Sequence, residues 1–335
     1  MGDMHLYNER KESTYMKREN VAEEELNAFI GSITVGKPDT FRGLSIYPLF
    51  SRRSYTNGYV LIEEAIPAGN FIIEEVSEGG SVPELMVKNL LPGLDVLIFQ
   101  GEQLVGAKQN RIVNTSIIVP RATSLKIPVA CCEQNRWSYR SRTFSASKSP
   151  LYASLRKKSA ESVLSSLRMR KTYANDQHAV WDSIREKTER MNISSETSAM
   201  EDIYVQYDDN VKAYEAGFKI YPEQIGFIAA IDGEIVGCDI VGAKDVFDKV
   251  YKKMLRGYIL VALDADMTND IERKRKSRTL SGTGAAERFL GEALSAKRES
   301  YEAVGEGREL WFEGKGLNGF ALVRDKNIVH MAVFA

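Results

Sequence analysis

The run Ile225–Gly242, IGFIAAIDGEIVGCDIVG, sets two apolar segments on either side of Asp232-Gly233. Asp-Gly supplies the two positive-φ positions of the tight turn whose twist suits paired strands, so the run predicts an antiparallel hairpin. Beyond it, AKDVFDKVYKKMLRGYIL (243–260) and GAAERFLGEALSA (284–296) have helical spacing, and ELWFEG (309–314), GFALVR (319–324) and NIVHMAVF (327–334) read as terminal strands. Before it, SPLYASLRKKSAESVLSSLRM (149–169), DQHAVWDSIREKTERM (176–191) and AMEDIYVQYDDNVKAYEAGF (199–218) carry apolar residues at amphipathic helix spacing. Residues 41–140 have a different texture of short β-branched and aromatic runs between turn residues. GLSIYPLF, YVLIEEAI, FIIEEV, DVLIFQ, RIVNTSIIVP and LKIPVACCE predict strands of a sandwich or barrel-like sheet. Residues 20–31 predict a short helix with Asn20 as cap and Gly31 at its end.

The expectation is an α+β fold. A mostly antiparallel sheet or sandwich region comes first, followed by central helices, the hairpin, further helices and terminal antiparallel strands. The chain divides into an N-terminal segment (1–40), a β-rich region (41–149) and a helical and α+β region (150–335), the last two packed as one unit.

With 335 residues and 43% hydrophobic content the chain can bury a large core without disulfides. Lys+Arg 45 against Asp+Glu 46 leaves a formal charge of -1, so bulk electrostatics attract neither nucleic acid nor an anionic membrane. Cys131, Cys132 and Cys238 are odd in number and lack metal-ligand spacing, which points to a reducing compartment. A charged N-terminus and the lack of any apolar run of about 18 residues lead us to expect a cytoplasmic protein with no membrane partner. Apolar residues on the helices would serve a core or a homo-oligomer contact equally well.

The chemically dense stretch is GEQLVGAKQNRIVNTS (101–116), between two apolar strands. It carries Glu102, Lys108, Gln109, Asn110, Arg111 and Asn114. A second patch, CEQNRWSYRSR (132–142), ends the next strand and adds Glu133, Gln134, Arg136, Tyr139, Arg140 and Arg142. Consecutive strands usually pair, so the two patches are expected to meet. Guanidinium forks and Lys108 suit phosphate oxygens, Glu102 or Glu133 a ribose diol, Asn and Gln a base edge, and Trp137 or Tyr139 a stacked ring. That set complements a small phosphorylated nucleotide or sugar phosphate. A hydrogen-bonded structural network with solvated strand ends is the competing reading of the same residues.

The run GEQLVGAKQNRIVNTSIIVP, the patch CCEQNRWSYRSRTFS, the run SYEAVGEG (300–307) and the terminal VHMAVF together resemble a prokaryotic domain family. It is the family associated with ADP-ribosylglycohydrolases and rhodanese-phosphatases, and the resemblance covers the chain from about Phe41 onward. It implies a role near NAD-derived or ADP-ribose metabolism, in conflict or defence systems, without a reaction to carry over. The residues matching it are Glu102, Lys108, Gln109, Asn110, Arg111, Asn114, Glu133, Arg136 and Tyr139.

Other catalytic signatures are sparse. The three histidines, His5, His178 and His330, lie outside the dense motifs, so a Ser-His-Asp arrangement would need distant segments, and His330 reads as a core residue. Cys131 and Cys132 read as small hydrophobes at a strand end. Glu102 and Glu133 could hold Mg2+ with a ligand's phosphates, or either could act as a general base with Arg111 and Arg136 stabilising charge. SGTGAAERF (281–289) lacks a nucleotide-loop signature and reads as a flexible cap. The basic run Arg273, Lys274, Arg275, Lys276 and Arg278 is a weak candidate for nucleic acid, because no aromatic interleaving accompanies it. The expected function is therefore an enzyme, hydrolytic in kind, acting on an ADP-ribose-like or other phosphorylated nucleotide. Its alternatives are a non-catalytic nucleotide sensor and an interaction module.

Overall fold

Two β systems share one chain. The computed structural model describes residues 20–53, 55, 58–267 and 282–335. Among these, eight helices and eighteen strands form a mixed α+β fold, mostly antiparallel. The larger sheet contains β1 (Ile33–Val35), β2 (Asp39–Phe41), β3 (Leu44–Ser51), β13 (Gln224–Ile231), β14 (Glu234–Val241), β15 (Lys297–Glu302), β16 (Arg308–Gly314), β17 (Leu317–Arg324) and β18 (Asn327–Phe334). Its order is β1-β3-β13-β14-β18-β17-β16-β15, with β2 beside β3. A six-stranded sheet runs β12 (Phe144–Ala146), β8 (Gln103–Gly106), β9 (Arg111–Val113), β11 (Thr123–Cys131), β6 (Glu84–Asn89) and β5 (Phe71–Glu75). An antiparallel bridge between Glu74 and Thr143 joins its two ends, closing it into a small barrel. A three-stranded sheet, β10 (Ile117–Val119), β7 (Asp95–Ile98) and β4 (Tyr59–Leu61), contributes Val96, Ile98, Ile117 and Val119 to the same apolar core.

The predicted hairpin is β13–β14, and Asp232 and Gly233 have φ of 51° and 86°, the positive pair its turn demands. Its strands are apolar on both faces because helices cover both. Tyr47, Ile228 and Ile240 point toward α1 (residues 20–30) and α8 (Gly284–Ser295), with Phe29 and Phe289 in the same core. Ile46, Phe227 and Val241 point the other way, sharing a core with Phe247 and Tyr258 of α7 (Lys244–Met267). On that second side α3 (Ala153–Arg170) lies against β17 and β18, while α4 (Gln177–Arg190), α5 (Met200–Gln206) and α6 (Asp208–Glu215) join the core that reaches the barrel.

Several expectations change in detail. YVLIEEAI is extended only to Leu61, and Ile62–Ala65 then forms a short helix, α2. The Glu64 carboxylate accepts the Leu61 N–H at 3.1 Å, and Ile62 and Ala65 are buried three residues apart, which is helical rather than strand spacing. The stretch 199–218 is two helices, broken at Tyr207. ELMVKN (β6) and KRESYE (β15) are strands that the apolar runs do not reveal. In β6 only alternate residues are buried, and β15 is an edge strand whose charges protect it from further pairing. No helix among the described residues is long and apolar enough to cross a membrane. The basic run 273–278 lies outside the described residues.

Candidate functional site

The two polar patches meet. Arg111 on β9 pairs with Cys131 on β11, and the Cys132 N–H donates to the Asn110 carbonyl at 3.1 Å. Past the strand end the chain turns back, and the Glu133 carboxylate, fully buried, accepts the Asn110 N–H at 3.0 Å. Arg136 grips both Glu133 oxygens, Nε at 2.9 Å and Nη2 at 2.6 Å. Its Nη1 donates to the carbonyls of Ala107 and Ser138, and its Nη2 also to that of Gly106. Burial pushes the Glu133 carboxyl upward, but the bonds from Arg136 and Asn110 outweigh it and hold the group below its ordinary value. The Gln109 amide donates to the Gln134 carbonyl at 3.2 Å. Glu133, Arg136, Gln109, Asn110 and Gln134 thus knit the 106–110 turn to the 132–138 loop, and Glu133 has no oxygen left over for proton transfer.

The remaining members lie around this knot. Arg111 is fully buried, while Lys108 donates to the carbonyls of Glu78 and Gly79 at 2.6 and 2.9 Å. Tyr139 is exposed with the Arg142 guanidinium 5.4 Å from its ring, and Arg142 reaches the exposed Glu78 at 3.4 Å. Arg140 lies 3.6 Å from Glu133.

Glu102 joins a different set of groups. It follows the turn after β7 and contacts Lys253, on the face of α7. Lys253 sits between Glu102 and Glu63 of α2, the latter at 2.5 Å. Two carboxylates share one ammonium, and Glu102 is the more buried of the two. Desolvation pushes its carboxyl up to about 7, with Lys253 pulling down and Glu63 adding to the rise. Lys253, flanked by both acids, stays protonated above its ordinary range despite burial. Phe99, Gln100, Pro150, Arg156, Val250 and Met254 complete a narrow cleft of about 20 Å³ around this pair, room for about one water molecule. A second cleft, about 260 Å³, offers Lys148, Glu201 and Arg256 on the other side of the turn at 148–150. Lys253, Glu63 and Arg156 are the residues sequence reasoning missed. Lys253 was legible only as one of several lysines on an amphipathic helix, and nothing along the chain links it to Glu102.

Asn114, Thr115 and Ser116 do a third job. Leaving the barrel, they reach its neighbours: Asn114 donates to the Tyr173 carbonyl, in the connection between α3 and α4, at 2.9 Å, and Thr115 to Glu309 of β16 in the large sheet at 2.5 Å. The Ser116 hydroxyl lies 2.7 Å from His330 Nδ1, and His330 Nε2 lies 3.0 Å from Asp239. A Ser-His-Asp chain does therefore assemble, and from distant segments. It is nonetheless a joint: all three residues are fully buried, and Asp239 also accepts two bonds from Arg156 (2.7 and 2.8 Å) and one from Tyr258 (2.8 Å). Burial alone would raise the Asp239 carboxyl, but Arg156 and His330 hold it well below the carboxylate range. Burial lowers His330, which favours the neutral ring. The Gln100 N–H donates to Ser116 at 3.0 Å and the Gln100 side chain accepts from Arg156 at 2.8 Å, so this joint forms the floor of the Glu102 cleft.

No group of three or more His, Cys, Asp or Glu among the described residues is placed to hold a metal ion. Glu102 pairs with Lys253 and Glu133 with Arg136, so the two glutamates answer to different cations. The three cysteines are buried thiols, and burial pushes Cys131 up to about 11, away from nucleophilic use. Residues 32–334 match the model of the ARG and Rhodanese-Phosphatase-superfamily-associated Protein domain. No curated protein and no solved structure matches the chain.

Proposed function

This chain belongs to the family of ARG and Rhodanese-Phosphatase-superfamily-associated Protein domains, and from that premise we propose that it hydrolyses a phosphorylated, nucleotide-like ligand of the ADP-ribose kind at the outer edge of the Glu102 cleft, which has room for the attacking water. The family's tie to ADP-ribosylglycohydrolases and rhodanese-phosphatases supports the ligand class at that coarse level. One observation carries the reaction: Glu102 stands in a cleft against Lys253 with its carboxyl pushed up to about 7. A carboxyl that titrates near neutrality serves hydrolysis in both directions of proton transfer. Ionised, Glu102 takes a proton from an attacking water. Protonated, it returns one to the leaving oxygen. Lys253 can turn from the more exposed Glu63 toward a ligand phosphate while it stays against Glu102, so the buried carboxylate is not left unpaired. Glu133 and Arg136 act behind the site, holding the strand ends in place.

The test is product release from ADP-ribose, NAD and ribose 5-phosphate, with and without Mg2+, over a pH series. Turnover is expected with an inflection near the Glu102 value, falling by about a hundredfold or more in Glu102→Gln. Binding without turnover would make the chain a sensor instead. Turnover that survives Glu102→Gln would remove Glu102 from the chemistry.

A further inference from the structure

The barrel has an ionic mouth. Phe71 and Ile73 of β5, Val113 of β9 and Val129 of β11 point into its apolar core. By the two-residue period of a strand, the next inward positions at one end are Glu75 and Arg111. Both are buried, Arg111 at 0% exposure and Glu75 at 8%. They face each other at 3.6 Å, too far for a hydrogen bond. Arg111 spends Nη1 on the carbonyl and side-chain oxygens of Gln109, at 3.1 and 3.3 Å. Its Nε and Nη2, and Oε2 of Glu75, have no hydrogen-bond partner among the described residues. Charged groups buried in this state are costly, and the described residues do not supply the missing partners.

The roof over these groups is aromatic and glycine-rich. The Trp137 ring, 47% exposed, lies 5.5 Å from the Arg111 guanidinium. Lys108 sits between Trp137 and Tyr139, at 5.4 and 5.1 Å from their rings. Gly80, with φ of +76°, comes so close that a Cβ there would lie 3.2 Å from Lys108 and Trp137 and 3.3 Å from Glu75.

We propose that this mouth is a nucleobase-binding site. A bare phosphate would satisfy Arg111 but meet Glu75, and a bare cation would satisfy Glu75 but meet Arg111. The group that suits both is a neutral edge with a hydrogen-bond acceptor beside a donor, which base edges present. Trp137 leaves the guanidinium and covers the flat ring, so that stacking adds to the edge contacts. The site shares a ligand class with the Glu102 proposal but stands on separate residues and does not depend on it.

The experiment titrates adenosine, guanosine, cytidine and uridine into the full chain by calorimetry and tryptophan emission, with ribose 5-phosphate as the base-free control. At least one nucleoside is expected to bind and perturb emission, weakened about tenfold or more by Trp137→Ala. Because Arg111→Gln disturbs a fully buried position, the half-exposed Trp137→Ala is the deciding variant, and Glu75→Gln is expected to change the rank order of nucleosides. Absence of nucleoside binding, equal competition by ribose 5-phosphate, or binding unchanged in Trp137→Ala would overturn the site and leave a structural ion pair only. Nucleoside binding without turnover anywhere in the panel would retire the Glu102 reaction alone. Turnover without nucleoside binding would retire the mouth alone.

Discussion

Asp239→Asn tests whether the Ser116–His330–Asp239–Arg156 chain is a joint. Asp239 accepts four bonds, from Arg156 Nη1 (2.7 Å), Arg156 Nη2 (2.8 Å), Tyr258 (2.8 Å) and His330 (3.0 Å), and every partner is a donor. Asn keeps the shape but replaces one oxygen with a donor, so either rotamer sets its amide against two donors. Arg156 meanwhile stays 4% exposed and loses its counter-charge. Removing one partner of a buried ion pair costs about 3–5 kcal/mol. That is a large share of the roughly 5–15 kcal/mol that holds a typical domain. Urea unfolding is the assay. At a slope of about 3 kcal/mol/M the midpoint should fall by roughly 1–2 M with the slope unchanged. Adding Arg156→Met should recover much of the loss, because no lone charge then remains buried. A single variant whose midpoint matches the parent would refute the account, since a charge that costs nothing to orphan was not being held.

Glu309 gives a pH signature. Desolvation lifts its carboxyl from 4.5 to about 7, against bonds from Thr115, Trp311 and Tyr173. The folded chain keeps a proton that the unfolded chain releases above its ordinary carboxylate value, so this contribution is complete below that value and is lost as pH rises through about 7. Glu309→Gln should flatten the decline in stability between about pH 5 and 8 in denaturation series, leaving the share that Glu102 adds; an unaltered decline would place the proton elsewhere. Gly305→Ala probes the contact between the barrel system and the large sheet's loop, because a Cβ there would lie 1.9 Å from the Ile118 carbonyl. The loop must retreat and give up the Glu306 N–H bond to that carbonyl, at 2.9 Å. We expect a loss of about 1–3 kcal/mol, read as a melting temperature lower by several degrees, and an unchanged melting curve would count against the contact.

Legibility differed between fold and site. The strands with strong apolar runs, the Asp232-Gly233 turn and the long helices stood out because their signals are local: period, turn chemistry and caps act over a few residues. β6 and β15 were hidden because one is half polar by alternation and the other is a charged edge. The convergence of the patches at 101–116 and 132–142 was legible as well, since adjacent strands pair. The partition within them was not. Glu102, Arg111 and Ser116 lie within fifteen positions of one another yet serve a cleft, a barrel mouth and a joint, because successive strand residues face opposite ways and the turn after β9 changes the sheet they address.

The sequence by itself determined an α+β chain, its main elements, and which two segments carry the polar chemistry; these follow from local pattern and from the tendency of neighbouring strands to pair. Tertiary structure alone decided what each polar residue does. Whether a carboxylate is a spare base or a spent staple depends on which charges surround it and how dry the place is. Glu133 meets Arg136 three residues away and is spent, while Glu102 meets Lys253, 151 residues distant, in a cleft where burial keeps its proton in play. Long-range packing makes that difference, because electrostatic energy depends on distance and dielectric rather than on order along the chain.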